Sequence, residues 1–522
     1  MKKFIFTVSL IVVIGLGAYY NSMNGALFWD DEVTVVNNVF IRQPFSYVSE
    51  IFSTSYHTGA GETLNFYRPL ATLSFAADYK IWKLQPFGYH LTNVILHLLN
   101  GILVFSLLYK IFGRYRFSLI CACLFLVHPI NSEAVNYVSN RTDLLMVFFF
   151  LSAFLSYVFY RRREKSLFLV MSVSFYVLSV LSKEMGLVLP IFLVAYEVLF
   201  FKKNKNFPAL IGFILPAVFY VFLRAGTLNF LNLNILTQGA QASPYSQSIA
   251  FRALFFGKVF LTYIRLFFLP LNLHMEYDMP RLNVPVSFLG LLFLALMCFF
   301  AIRFSGRKKA VCFGQIWFVL GLLPICGIIV PINNVVSEHY LYLGSIGFFV
   351  MITAAFAALW RISPFPIRIF SAVCGILVVI SFCYLTVQRN KDWRDPLAMY
   401  LEIASNTKYS FRANNNAGVE YFRRGDLYKA EEYFRRSIGI FPEYAEALNN
   451  LGVVCQRGGE TSRAEDFYKK SVNSKPSYVL ARKNLARIYM ASGRLTEAKE
   501  QLVKALEFYP YDDETKEMLK SL

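Results

Sequence analysis

Residues 416–442 read NAGVEYFRRGDLYKAEEYFRRSIGIFP, residues 450–476 read NLGVVCQRGGETSRAEDFYKKSVNSKP, and residues 484–510 read NLARIYMASGRLTEAKEQLVKALEFYP, one pattern recurring every 34 residues. Gly418, Gly452 and Ala486 share a register, as do Gly425, Gly459 and Gly493, then Ala430, Ala464 and Ala498. Phe434, Tyr468 and Leu502 follow, and each copy closes on a proline, Pro442, Pro476 or Pro510. Small residues at two fixed positions let paired helices touch, the glycine between them makes the turn, and the proline ends the unit. Such a unit cannot bury its apolar face alone, so successive units stack into an α-solenoid. The pattern predicts repeats starting at 413, 447 and 481. Residues 393–408 read as the second helix of a degenerate unit before them, with Tyr400 in register with Phe434. About seven helices result, filling a domain over 391–522, and the concave face of such an array commonly takes an extended polypeptide. Packing of the array on the rest of the chain is the alternative use of that surface.

The remainder has another solvent preference. The 522-residue chain is 56% hydrophobic and 17% aromatic with mean hydropathy +0.46, yet only 16% charged. Residues 1–390 hold 30 basic and 14 acidic side chains, against 22 and 19 in the much shorter tail. A soluble single-domain enzyme, a disordered chain and a fibrous composition are all excluded. The net charge of +19 does not point to nucleic acid, because 16 of the surplus charges lie in the apolar part, where cations flank cytoplasmic helix ends.

Spanning-length apolar runs lie at 4–20, 89–110, 117–134, 142–160, 166–182, 185–201, 207–224, 285–303, 311–330, 339–360 and 367–388. The first reads as an uncleaved span, since it ends in aromatics with a poor cleavage site. Residues 251–270 carry Arg252, Lys258 and Arg265, too many cations for mid-membrane depth, and read as an interfacial segment. Eleven spans with the N-terminus in the cytoplasm put 18 basic and two acidic residues inside and 12 of each outside. The expected architecture is all-α: a polytopic helix bundle over 1–390 with a first outer loop at 21–88, then the solenoid, also on the non-cytoplasmic side. That side is a bacterial periplasm or an organelle lumen such as that of the endoplasmic reticulum. Cys121, Cys123, Cys298, Cys326, Cys374 and Cys383 sit in apolar runs without metal-ligand spacing, so neither a zinc site nor a disulfide framework is indicated.

Polar residues gather at the outer helix ends, where a transporter would hold them near the midplane. The first loop opens with Phe28-Trp29-Asp30-Asp31-Glu32. Successive carboxylates at an interface call for a partner cation, a polar substrate or a raised pKa, and one of them suits a general base towards a hydroxyl; a solvated loop start or a helix cap is the plain alternative. His128 to Glu133 and Asn140-Arg141-Thr142-Asp143 form a second group, Ser182-Lys183-Glu184 a third, and Ser337-Glu338-His339-Tyr340 a fourth. A cation in such a place can grip a lipid phosphate while a carboxylate orients it; an Arg141–Asp143 ion pair and a snorkelling Lys183 are the alternatives.

These stretches, with Phe66-Tyr67-Arg68-Pro69-Leu70 and Gly88-Tyr89-His90-Leu91-Thr92-Asn93, resemble in order the transmembrane and tetratricopeptide-repeat-containing O-mannosyltransferases. That family implies a GT-C fold and transfer of a sugar, mannose by its name, from a polyprenyl-phosphate carrier to Ser or Thr of a protein on the non-cytoplasmic side. Carried over by position, Asp30 is the base and Asp31 its support. Arg141 and Lys183 neutralise the leaving phosphate, and Glu133, Asp143 and Glu184 orient them. Arg68, His90 and His128 are further candidates for the same cavity, and Glu338 for a supporting place beside His339, where eukaryotic members often carry Arg. The lipid-linked sugar is the donor substrate and the tetratricopeptide groove the acceptor site. A metal is not obligatory for the reaction, and whether Glu133, Asp143 and the first-loop pair hold a divalent cation stays open. Two other readings share the same residues: a membrane-anchored repeat scaffold without catalysis, and a transferase acting on envelope glycan or lipid.

Overall fold

The computed structural model describes all residues except 1, 63–64, 202–205, 228–247, 278–281, 304–307, 329–331, 333 and 408. Among the described residues there are helices, turns and connecting segments but no strands. They form two compact units, Met1–Leu27 with Pro44–Tyr56 and Asn65–Arg394, and Phe28–Gln43 with His57–Leu64 and Asp395–Leu522. The expected first outer loop is thus divided: its acidic start and a second short piece count with the repeat array.

The first unit is a bundle of apolar helices, as a membrane protein requires. Each of the eleven expected runs is at least partly helical, but they are not equally long. Seven helices among the described residues are long and apolar enough to cross a membrane: Lys2–Asn24, Pro86–Phe112, Val138–Arg163, Pro208–Gly226, Val284–Arg303, His339–Ile362 and Phe365–Trp393. Tyr115–Val127 with Pro129–Asn136 makes an eighth if the pair, bent by 56° at His128-Pro129, is one span. Ser166–Ser182 and Lys309–Ile325 are shorter apolar helices. The expected run 185–201 is shortest, because a tight turn over Glu184–Val188 precedes a helix of only 12 residues, Leu189–Phe200, below the roughly 20 needed to cross alone. The segment at 251–270 is one helix, Ile249–Phe268, with Arg252 buried and donating to the Ile328 carbonyl at 2.9 Å.

Without a hydrophobic force between helices in lipid, close backbone approach supplies the packing. At Gly314 an added Cβ would fall 2.6 Å from the Met351 nitrogen, and at Gly347 2.4 Å from that of Phe318, so Lys309–Leu322 and Tyr342–Ile362 touch through their backbones. Beside them the Trp317 indole stacks on Phe154 at 5.4 Å in a wholly buried aromatic cluster.

In the second unit the helices Phe411–Arg423 and Leu427–Ile440, Ala445–Arg457 and Thr461–Ser474, Val479–Ala491 and Leu495–Phe508 pair as the repeat dictates, after Pro396–Asn406 and before a final Asp513–Lys520. Gly425, Gly459 and Gly493 take φ of 82°, 78° and 75° at the intra-pair turns, the left-handed region open to glycine. The Phe434 and Tyr468 rings lie where a Cβ on Gly418 or Gly452 would come within 2.6 Å, which is why those positions stay small. Lys483 pairs with Asp512 at 3.0 Å and Glu514 at 2.6 Å, tying the last helix onto the array.

Candidate active site

In the unit of apolar helices, several charged pairs sit at helix ends. Arg141, at the start of Arg141–Arg163, is fully buried with four donors taken up: Asp78 Oδ2 at 2.6 Å, Asn93 Oδ1 at 2.8 Å, and the carbonyls of Tyr89 at 2.9 Å and Ser74 at 3.3 Å. Its guanidinium also lies 4.4 Å from the Phe75 ring centroid. Its ionic partner is Asp78, from the helix Pro69–Trp82, and not Asp143. A guanidinium enclosed in this way, with four of its five N–H donors engaged, locks helices together.

Asp143 instead faces Lys183, whose ammonium donates to both carboxylate oxygens at 2.8 and 2.7 Å, with the Tyr340 ring 5.9 Å away. Lys183 stands where the helix Ser166–Ser182 stops, which aims its side chain back at Arg141–Arg163. Next along the chain, Glu184 takes a two-point hydrogen bond from Arg68, at 3.2 and 2.8 Å, the side chains 23% and 12% exposed. Burial alone would raise the Glu184 pKa, but Arg68, Arg224 and Lys183 outweigh it and hold the carboxyl well below the usual range. Arg68 is braced by the Phe66 ring at 4.4 Å.

Glu133 turns to the fourth group. It accepts from the backbone N–H of Glu338 at 3.0 Å and of His339 at 3.3 Å, from Ser337 Oγ at 3.3 Å, and pairs with His339 Nδ1 at 2.7 Å. These amides open the turn before Tyr342–Ile362, so the carboxylate caps that helix where its dipole favours an anion. Glu338 is buried, accepts from Tyr277 Oη at 2.8 Å and lies 4.0 Å from Arg389. Burial pushes its pKa up to about 8, against the pull of Arg389 and with the push of Glu133.

The candidate histidines His90 and His128 do structural duty. His128 accepts from the Ile130 N–H at 3.1 Å through Nδ1 and meets the Phe267 carbonyl at 3.0 Å through Nε2, capping the bend between helices. His90 is buried against Gly25, where a Cβ would fall 2.6 Å from its ring.

Asp30 and Asp31 belong to the second unit. Trp29 has φ of 61°, strained for a bulky residue by about 1–2 kcal/mol. Its N–H donates to Tyr400 Oη at 3.1 Å, and the Phe28 and Trp29 rings lie 5.8 and 5.6 Å from the Tyr400 ring. Asp31 is buried and accepts from the Phe28 N–H at 3.3 Å, Glu32 pairs with Arg423 at 2.5 Å, and Asp30 is exposed. Among the described residues no group of three or more His, Cys, Asp or Glu is placed to hold a metal ion.

Tetratricopeptide-repeat models match residues 409–477 and 484–512. Over the longer span, "Protein O-mannosyl-transferase TMTC3" of Mus musculus is 26% identical across 475 residues, 84% of this chain and 51% of its own length. "Protein O-mannosyl-transferase F38B6.6" of Caenorhabditis elegans is 25% identical across 455 residues, 84% of this chain and 63% of its own. The homologues of the chain are TMTC protein O-mannosyl-transferases. The chain spans about half the length of the first curated relatives it matches. The crystal structure of the Archaeoglobus fulgidus oligosaccharyltransferase, tethered with an acceptor peptide, superposes with TM-score 0.42 at 12% identity, covering 83% of this chain and 59% of its own.

Sequence reading missed Asp78, Arg224, Arg389 and Tyr277. Asp78 carried a usable signal, the one carboxylate of its helix, beside Ala76 and Ala77. Arg224 and Arg389 lie near the ends of long apolar runs, where snorkelling is the ordinary explanation.

Proposed function

We propose that the protein is an integral membrane glycosyltransferase moving a sugar, mannose by the names of its homologues, from a polyprenyl-phosphate carrier to Ser or Thr of a polypeptide on the non-cytoplasmic side. The observation that carries this reading is the similarity to O-mannosyl-transferases over 84% of the chain, in both the apolar helices and the repeats. The distribution of cations supports the orientation, since the basic clusters fall on one side of the expected bundle.

In this reading Asp30 takes the proton from the acceptor hydroxyl, and its oxygen attacks the anomeric carbon. The bond from that carbon to the phosphate oxygen breaks, the electron pair leaves with polyprenyl phosphate, and the anomeric configuration inverts. Phosphate leaves readily because cations stabilise it. Lys183 and Arg68 are the cations proposed for that task, with Asp143 and Glu184 holding them in place. Arg141 acts through packing, and Glu133 and Glu338 through the turn they cap. The repeat groove takes the acceptor chain.

Purified protein in lipid nanodiscs, given radiolabelled polyprenyl-phosphate sugars and envelope protein, tests the reading. Label on protein should fall by about 10²-fold or more in Asp30→Asn, with thermal stability unchanged, and Lys183→Gln should lower transfer too. Label that appears only on lipid or glycan would reassign the acceptor; full transfer by Asp30→Asn would remove the proposed base.

A further inference from the structure

The repeat array does more in this molecule than offer a groove. Two pieces of the first loop, Phe28–Gln43 and His57–Leu64, count with the array as one compact unit. Their contacts run along its length. At the start, Tyr400 in Pro396–Asn406 receives the Trp29 N–H and packs on the Phe28 and Trp29 rings. Arg423, closing Phe411–Arg423, takes Glu32. At the far end, Tyr509 Oη donates to the Gly59 carbonyl at 2.8 Å, and the Phe40 ring meets Tyr511 edge-on at 5.2 Å. Both follow the last repeat helix, Leu495–Phe508.

The acidic motif is therefore fixed by residues of the repeats. A left-handed Trp29 persists only where its surroundings over-determine it, and here those surroundings include the hydroxyl and the ring of Tyr400. Asp31 closes the turn through the Phe28 N–H, Glu32 is drawn off to Arg423, and Thr34 Oγ1 donates to the Asp30 carbonyl at 2.9 Å. Asp30, next to Trp29 in the turn these contacts hold, is exposed.

We propose that the tetratricopeptide array is the seat of the acidic motif, with Tyr400 and Arg423 as positioning residues that set the direction of the Asp30 carboxylate. The catalytic part of this inference rests on the reading of Asp30 as the base. The array then couples to transfer in two ways, by acceptor capture and by the shape of the loop.

Hydrogen exchange and transfer kinetics on the full chain in nanodiscs separate these claims. In the double variant Tyr400→Phe/Arg423→Gln, amides of residues 28–36 should exchange about tenfold faster, the effect of losing a net hydrogen bond or two. Amides of the repeat helices should keep their rates, which shows that the array remains folded. Turnover should drop about tenfold with KM for the polyprenyl-phosphate sugar unchanged, since a misdirected base affects chemistry and not donor binding. Arg423→Lys, which keeps the cation, should restore most of the protection. Unchanged exchange at 28–36 overturns the seat, and faster exchange with full turnover overturns the positioning role. If wild type transfers no sugar from any donor, the proposed function fails, and the exchange result alone decides whether the array seats the loop.

Discussion

Ion pairs in the two units are built from the same side chains and obey opposite economics. In the repeat array Arg435–Glu431, Arg436–Glu432 and Lys504–Glu500 link neighbouring turns of one helix, with side chains about half exposed. In the membrane unit Arg141–Asp78, Lys183–Asp143 and Arg161–Glu197 join different segments and are almost wholly enclosed. In water such a pair replaces good hydration with a modest attraction and contributes little. Out of water each charge has lost its hydration, so the partner becomes indispensable even where the pair as a whole stabilises little. A charge in the array therefore says something about solubility, while a charge in the bundle says which segments must meet.

The sharpest way to break this contrast is Asp78→Ala. It leaves Arg141 buried with only neutral partners, Asn93 and two carbonyls, and should cost about 3–5 kcal/mol. Loss of the monodisperse folded peak on size exclusion is the expected readout. The double variant Arg141→Met/Asp78→Leu, which removes both charges, should recover much of it. If Asp78→Ala folds like wild type and binds polyprenyl phosphate more tightly, Arg141 is a phosphate grip after all.

A middle-sized effect tests Glu338, a buried carboxyl that lies 4.0 Å from Arg389. The Glu338 pKa is raised from 4.5 to about 8 in the folded chain, so between those values the folded state holds a proton that the unfolded state has released. Stability should then fall as pH rises through that window and level off above it. Thermal midpoints of wild type against Glu338→Gln from pH 5 to 9 measure this, with a flatter profile expected in the variant. The facing groups are Glu133, His339, Tyr277 and Arg389, and an equal slope in both proteins would assign the titration to one of them.

The same contrast explains what could be read from sequence. The repeats were legible because each copy restates the same small, glycine and proline positions at a fixed distance, and the turn glycines take the left-handed φ their register implies. The charged groups were legible as a set of residues but not as pairs. Arg141 and Asp143 are neighbours in sequence, yet residues two apart on a helix point to different faces, so one reaches Asp78 and the other Lys183. Lys183 and Glu184 likewise part company, to Asp143 and Arg68. Hydropathy placed the apolar runs but not the lengths of the helices in them, because the turn at Glu184–Val188 and Pro190 shorten one run without making it less apolar. Nor does hydropathy register that Phe28–Gln43 packs with the repeats, since that depends on single contacts such as Trp29 with Tyr400.

The smallest effect belongs to the array and is the counterpart of Asp78→Ala. Arg435 and Glu431 face each other one turn apart at 2.6 Å, a geometry as good as that of Arg141 with Asp78. Distance alone would rank the two pairs together. Exposure ranks them apart, because water can solvate either partner once the other is gone. Arg435→Ala should change stability by no more than about 0.5 kcal/mol, read as a shift of the repeat unit's unfolding transition in the full chain. Raising salt should shrink even that difference, since exposed charges are screened over roughly 8–10 Å at physiological strength. A loss several times larger, insensitive to salt, would mean that Arg435 holds something other than Glu431, and the division between the two kinds of pair would no longer follow burial.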